Sequence, residues 1–325
     1  MKDFLPLLIE ESVQLGILEP RFFRYQRSIG LITGLYHGPG ESLIIDPAFP
    51  RGSIGAFAQR NHYRMLVARL KKLLHILESS GSILPGSARI FCNSSLPEKQ
   101  FALTSELGIR GKNSLVIIPG VGSCVVLGGI LFSPSDMKEA VFSSVNRVED
   151  SFSAFQKDFP LCSGCRACIE TCPTGALVQE GFVDRGRCLQ NHASHLLPMP
   201  SPIRTAWGAL FYGCDRCQSV CPHNLHTTHT PPPLVPNERG VLGPGVELQK
   251  VLQTPEEALR KGLFQGSVLD VGWISPLTLK RSALLACAYQ SAATILPEVL
   301  EFTTHPEPLL REAALYTKEK LEASG

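Results

Sequence analysis

The segment CSGCRACIETCP, Cys162 to Pro173, constrains this chain more than any other, because it spaces four cysteines as C-x-x-C-x-x-C-x-x-x-C-P. That run is the bacterial two-cluster ferredoxin pattern, in which three thiolates hold one [4Fe–4S] cube and the fourth, before proline, reaches another. A second cysteine group is therefore required. CDRCQSVCPHN supplies Cys214, Cys217 and Cys221, again ending in Cys-Pro but without the first cysteine of a full run. Cys188, alone in DRGRCLQNH between the two motifs, completes the count of two Cys₄ sites. The crossing rule then assigns Cys162, Cys165, Cys168 and Cys221 to one cluster, and Cys172, Cys188, Cys214 and Cys217 to the other.

Zinc ribbons also use paired C-x-x-C motifs, but zinc needs neither the third cysteine nor the proline. Disulfides fit less well, since 11 cysteines in 325 residues is sparse for a disulfide scaffold and the number is odd. The remaining Cys92, Cys124 and Cys287 sit among apolar neighbours and are expected to be buried as small hydrophobes.

With 44% hydrophobic and 18% charged residues, the chain can bury a sizeable core and is long enough for two or three domains. The N-terminus, MKDFLPLLIEESV, has no basic n-region with a cleavage site, so a cytoplasmic, unexported protein is expected. NSLVIIPGVGSCVVLGGILFSPS is long enough to span a membrane, yet Pro119 and four glycines interrupt it. A buried strand, turn and strand is expected there, with no membrane partner. The net charge of +2 neither suggests a nucleic-acid coat nor excludes a local basic surface. HYRMLVARLKKLLHIL spaces Met65, Leu66, Leu70, Leu73 and Leu74 as an amphipathic helix, with Arg64, Arg69, Lys71 and Lys72 forming a solvated basic edge or phosphate contacts.

The expected fold class is α+β. A mixed α/β domain of cobalamin-binding type occupies residues 1–150, a ferredoxin-like domain with two [4Fe–4S] clusters residues 151–230, and a HEAT-like helical region residues 231–325. HNLHTTHTPPPLVPN reads as an extended connector leaving the cluster domain, and its His223, His226 and His229 as linker histidines. KRSALLACAY and LREAALYTKEKL repeat a pattern about thirty residues apart, as short solenoids do. Two copies are few, so these helices are expected to pack on the preceding domain.

No Walker A motif occurs, and GVGSCV lacks the third glycine of a dinucleotide fingerprint. In LGIRGKNSL, the island Gly111, Lys112 and Asn113 suits a turn offering backbone N–H groups and an ammonium to an acidic ligand, or an ordinary turn with a solvated lysine.

Taken together, the two cysteine motifs, GIRGKNSL upstream and the helical repeat downstream resemble the epoxyqueuosine reductase family, from about Gly52 to the end of the chain. GSIGAFAQRNHYRMLVARLKKL is similar to that family's Arg-Asp-Tyr-His segment, and Cys188 falls where the family has its isolated ligand. The resemblance implies two [4Fe–4S] clusters and a base-off cobalamin, with Lys112, Asn113 and His62 among the residues that hold it. It also implies a tRNA anticodon loop as substrate for a two-electron deoxygenation, and an electron donor such as flavodoxin or ferredoxin. Lys280, Arg281 and Arg311 would then contact tRNA phosphates.

The chain departs from that pattern in its first 50 residues, at His223, where the family usually has tryptophan, and at Asn93. Asn93 stands where the family's catalytic aspartate opens an Asp-Ser/Thr-Gly/Ala-Pro stretch, and an amide cannot deliver a proton as an acid does. Glu98, His62 and Asp46 are the nearest substitutes in sequence. The alternative function is a ferredoxin-like electron carrier, or a divergent paralogue that has lost epoxide reduction.

Overall fold

The computed structural model describes residues 4–44, 46, 49–133, 159–231, 233–235 and 238–323, so the boundary expected near residue 150 lies outside the described residues. The first sheet is antiparallel, in the order β1-β2-β7-β4, built from β1 (Arg21–Tyr25), β2 (Ser28–Tyr36), β7 (Val125–Phe132) and β4 (Ala88–Cys92). β2 is buried along nearly its whole length, and its side chains divide by the two-residue period of a strand. Ile29, Leu31 and Leu35 enter one apolar cluster, with helices α1 (Phe4–Gln14) and α2 (His62–Ser79), while Ile32 and Tyr36 enter another beside α3 (Glu98–Thr104). Covering a sheet on both faces explains why its strands read as apolar runs rather than alternating ones.

Gly30 makes the second face possible. Its partner across β1 is Phe23, and a β-carbon at residue 30 would meet the Phe23 ring at 2.1 Å. The ring therefore lies over bare backbone and stacks on Phe101, centroids 4.1 Å apart. The strand, turn and strand expected around Pro119 is present as β6 (Val116–Ile117) and β7, although β6 pairs with β5 (Ile109–Arg110) rather than with β7. Among the described residues no helix is long and apolar enough to cross a membrane.

α2 follows the apolar period of its sequence. Asn61 caps it by accepting the Arg64 N–H at 3.1 Å, and Leu66, Leu70, Leu73 and Leu77 are fully buried along one face. Each such leucine contributes roughly 1.5–3 kcal/mol through burial. Cys124 and Cys287 are buried as expected, whereas Cys92 is half-buried, with its thiol donating to the Leu127 carbonyl at 3.3 Å.

A second sheet, β8-β3-β9, joins distant parts of the chain. β3 (Arg51–Ile54) runs parallel to β8 (Leu210–Tyr212), from between the two cysteine motifs, and antiparallel to β9 (Gly245–Glu247). Beyond β3 the backbones touch: Gly55 donates to Tyr212 at 2.8 Å, and a β-carbon on Gly55 would lie 1.6 Å from the Gly213 oxygen. One hydrophobic cluster then runs from Ile54 and Ala58 through Leu189, Trp207 and Phe211 into the C-terminal helices. As expected, those helices pack on what precedes them.

The helix Pro276–Gln290 is central to that cluster and buried on most sides. Ser275 caps it, accepting from Leu277 N at 3.2 Å, and Thr317 of the helix Pro308–Glu322 crosses to donate to the Leu284 carbonyl at 3.0 Å. Here the structure corrects an expectation. Lys280 and Arg281 are 2% and 0% exposed and cannot contact tRNA phosphates. Lys280 donates to the carbonyls of Leu252 and Thr254, and Arg281 to those of Leu197, His192 and His195. Arg311 likewise donates to the His305 and Pro306 carbonyls. Lys280 and Arg281 satisfy carbonyls where short segments end, so their role is to strut the fold.

Candidate metal centres and the loop beside them

Two short helices, Ala167–Glu170 and Arg216–Ser219, carry the middle of each cysteine motif and pack against each other. None of the eight motif cysteines is in a disulfide. Their mutual electrostatics couple the two motifs, since Cys217 is raised by Cys214 and Cys188 and also by Cys168 and Cys172. Burial, then the neighbouring Cys162, Cys221 and Cys165, push Cys168 up to about 11. Burial also raises Cys221, with Cys162 and Cys165 adding to it, and it raises Cys217 strongly, with Cys214 and Cys188 next. Cys214 is pushed up to about 11, mainly by burial and partly by Cys188. Cys172 is the exception. Burial acts to raise it, but hydrogen bonds from Thr174 and from backbone amides, including Ala176 N at 3.3 Å, bring it down.

Among the described residues no three His, Cys, Asp or Glu side chains are drawn together closely enough for a single metal ion. A four-iron cube spaces its thiolates more widely than a lone ion does. The chemistry of the donors suits such a cube, since cysteine thiolates are the usual ligands of iron–sulfur clusters.

Polar contacts from other elements fix the motifs in place. Asn224, three residues past Cys221, accepts the Ser123 N–H at 2.6 Å and donates to Gln218 O at 2.8 Å, while Gln218 donates to Ser123 O at 2.8 Å. Asp215 accepts the Ala56 N–H at 2.7 Å; burial raises this carboxyl, and the bond from Ala56 opposes that. Neither Asn224 nor Asp215 stands out in sequence beyond being adjacent to a motif cysteine or near one. His223 lies in the short helix Pro222–Leu225 rather than in the connector, with Nε2 2.7 Å from Leu161 O, so it ties the two motifs together. His226 follows that helix, and the His229 ring lies 5.7 Å from Tyr36.

Lys112 is 7% exposed, not a solvated turn lysine. Its ammonium donates to Cys165 O at 3.1 Å and pairs with Glu180 at 2.8 Å. Asn113 is buried too, and its Oδ1 accepts the Leu115 N–H at 3.1 Å. His62 opens α2 at 2% exposure, 5.4 Å ring to ring from His37, and its Nδ1 has no hydrogen-bond partner. Burial lowers His62 to about 3 and His37 to about 4.

Asn93 is exposed at the end of β4, in the left-handed region with φ +50°. Of the three substitutes named by sequence, the fold brings Glu98 beside it. Glu98 Oε1 accepts from Ser94 N at 2.8 Å and Ser94 Oγ at 2.9 Å, and burial raises the carboxyl while those bonds act against it. His62 is buried at the start of α2, and Asp46 lies in the loop before β3.

Residues 161–224 match the model of a 4Fe-4S double cluster binding domain. An epoxyqueuosine reductase from Bacillus cereus is 30% identical over 234 residues, covering 71% of this chain and 55% of that protein. The chain thus spans about half the length of the curated relatives it matches. Among solved structures, an epoxyqueuosine reductase with a tRNA-Tyr epoxyqueuosine-modified stem loop superposes with TM-score 0.75 at 21% identity, covering 97% of this chain and 89% of that one. One from Bacillus subtilis, described with its catalytic aspartate loop swung out of the active site, superposes with TM-score 0.69 at 24% identity, over 90% and 73%. Those likenesses establish a shared mixed α+β fold. The matching cysteine domain and the recurrent sequence similarity outside it make this chain similar to the epoxyqueuosine reductases over much of its length.

Proposed function

We propose that the chain is an iron–sulfur oxidoreductase of the epoxyqueuosine reductase type, passing electrons through two [4Fe–4S] clusters to a modified nucleoside in a tRNA anticodon loop. The observation that carries this reading is the match of residues 161–224 to a 4Fe-4S double cluster binding domain, whose eight cysteines we assign as Cys162, Cys165, Cys168 and Cys221 to one cluster and Cys172, Cys188, Cys214 and Cys217 to the other. Flavodoxin or ferredoxin suits the donor role. In the overall reaction the epoxide loses its oxygen as water, consuming two electrons and two protons and leaving a carbon–carbon double bond.

Cobalamin, when bound, supplies a strongly reducing cobalt centre. His62 suits the group best, because its buried Nδ1 has an unmet hydrogen bond. Lys112 and Asn113 act by holding their turn against the first cysteine motif, since their polar atoms are engaged there. We divide the chain at residues 150 and 230 and read the C-terminal helices as a HEAT-like repeat. The crossing of Thr317 to Leu284 supports that reading of the helix pair.

A second reading, an electron carrier or a paralogue without epoxide reduction, is favoured by one residue. Asn93 occupies the place of the family's acid, and loss of a positioned general acid costs about 10² to 10⁴ in rate. The test assays wild type and Asn93→Asp with cobalamin, a strong reductant and an epoxyqueuosine-bearing stem-loop. We expect weak wild-type turnover and a gain of about 10²-fold or more in the variant. Aspartate tolerates the left-handed backbone there about as well as asparagine does. Full wild-type turnover, unchanged or lowered by the substitution, would sink the disabling role of Asn93. Inactivity of both, with both clusters intact, would favour the carrier.

A further inference from the structure

Three segments of the chain meet at Gly266. Asn61, the cap of α2, donates its side-chain amide to the Gly266 carbonyl at 2.9 Å, and a β-carbon on Gly240 would lie 2.5 Å from the same oxygen. This junction brings together two exposed arginines that are far apart in sequence. A β-carbon at residue 266 would lie 3.6 Å from Arg64 Nη1 and 3.3 Å from Arg239 Nε. Among the described residues neither guanidinium makes an ion pair or a hydrogen bond. The neighbouring carboxylates are engaged elsewhere. Glu238 pairs with the buried Arg60, and Asp270 accepts the Gly266 N–H at 3.1 Å and pairs with Lys261 at 3.0 Å. Glu256 and Glu257 act on Lys280 instead. Two unpaired guanidiniums held together repel each other unless an anion joins them, and their planar donors match a phosphate.

The loop that follows Gly266 carries an aromatic ring into water. Trp273 is 53% exposed and stacks on the exposed ring of His195, centroids 6.2 Å apart. Arg260 stands beside it, since a β-carbon on Gly272 would lie 3.7 Å from Arg260 Nη2. An open tryptophan on the same loop as a pair of unpaired arginines is the pattern of a single-strand RNA surface, where rings stack bases and cations meet phosphates. We propose that Arg64 and Arg239 clamp a phosphate of a single-stranded RNA segment and that Trp273 stacks a neighbouring base. The inference rests on the tRNA reading above and assigns the contact to the Gly266 junction, at the end of α2 that carries His62. Such contacts hold the strand in place and read little of its sequence.

The test measures binding of an unmodified anticodon stem-loop by fluorescence anisotropy across a salt series, for the iron-loaded wild type, Arg64→Gln/Arg239→Gln and Trp273→Ala. All three side chains are exposed, and melting temperature and iron content verify that the variants are folded. The arginine variant is expected to bind about tenfold or more weakly, with a log–log salt slope smaller by about 0.7, from one single-strand phosphate contact. Trp273→Ala is expected to bind about fivefold or more weakly with the slope of the wild type, because stacking releases no counterions. Binding by the wild type with unchanged affinity and slope in both variants overturns the junction and leaves the tRNA reading standing. Failure of the wild type to bind the stem-loop overturns both. A glutamate-rich decapeptide is the control. If the wild type binds it as tightly as the RNA and the arginine variant loses it, the junction docks an acidic protein and the RNA proposal falls.

Discussion

The Lys112 ammonium donates to the Cys165 carbonyl at 3.1 Å, so a turn from the first sheet's domain grips the backbone of the first cysteine motif. The same ammonium pairs with Glu180, and the Lys112 carbonyl accepts from Gly181 N at 2.8 Å, so one residue joins both sides of that motif to the turn. Arg110 reaches the same strip, donating to the Gly181 carbonyl.

Lys112→Met removes the ammonium but keeps the buried stem, leaving Cys165 O unmet and Glu180 without its partner. The expected cost is about 1–3 kcal/mol, the range for stranding a buried polar group. Glu180 is half-exposed and adds little. Chemical denaturation of wild type and variant measures the loss, and Lys112→Arg should recover part of it. A variant as stable as wild type would show that the contact does not hold the turn.

Anaerobically prepared protein should carry about eight irons, as two Cys₄ cubes require. Cys188→Ala should lose one cluster and keep the other, because the crossing assignment gives Cys188 to only one of them. Iron analysis and electron paramagnetic resonance of the reduced protein read this out. Retention of both clusters at full occupancy contradicts the assignment, and stoichiometric zinc without cluster absorbance contradicts the centres themselves.

Arg281→Met should be among the most damaging substitutions outside the cysteines. It strands three carbonyls, of Leu197, His192 and His195, in a site with no exposure to water. A loss of about 3–5 kcal/mol is expected, as for breaking a buried charged network. Thermal melting of the iron-loaded protein is the measurement. A loss below about 1 kcal/mol, the worth of one ordinary hydrogen bond, would mean that water replaces the guanidinium.

Acid should destabilise the fold through His37 and His62. Burial lowers both, to about 4 and about 3, from an unfolded value of 6.5. Between pH 6.5 and 4 the unfolded chain therefore binds protons that the folded chain refuses, and stability falls as pH falls. The slope approaches about 1.4 kcal/mol per pH unit for each histidine, and above pH 6.5 the pair contributes none. Denaturant midpoints for wild type and His37→Gln at pH 7, 6 and 5 test this. The variant should lose less than wild type on acidification, and parallel losses would reject the role of His37.

The two centres are legible in the cysteine spacing, because ligand spacing in C-x-x-C-x-x-C-x-x-x-C-P is set by the covalent chain over a few residues. The buried strand, turn and strand around Pro119 and the leucine face of α2 are legible too, since side-chain period is a local property of strand and helix. What the cations do depends on contacts between distant parts of the chain. Lys280 and Arg281 look like an exposed basic pair in KRSALLACAY, yet their partners are carbonyls of residues 252, 254, 192, 195 and 197. Lys71, from an equally basic stretch, is exposed to water. The difference lies in which distant backbone ends arrive unsatisfied beside each ammonium or guanidinium, and no local pattern of residues encodes that.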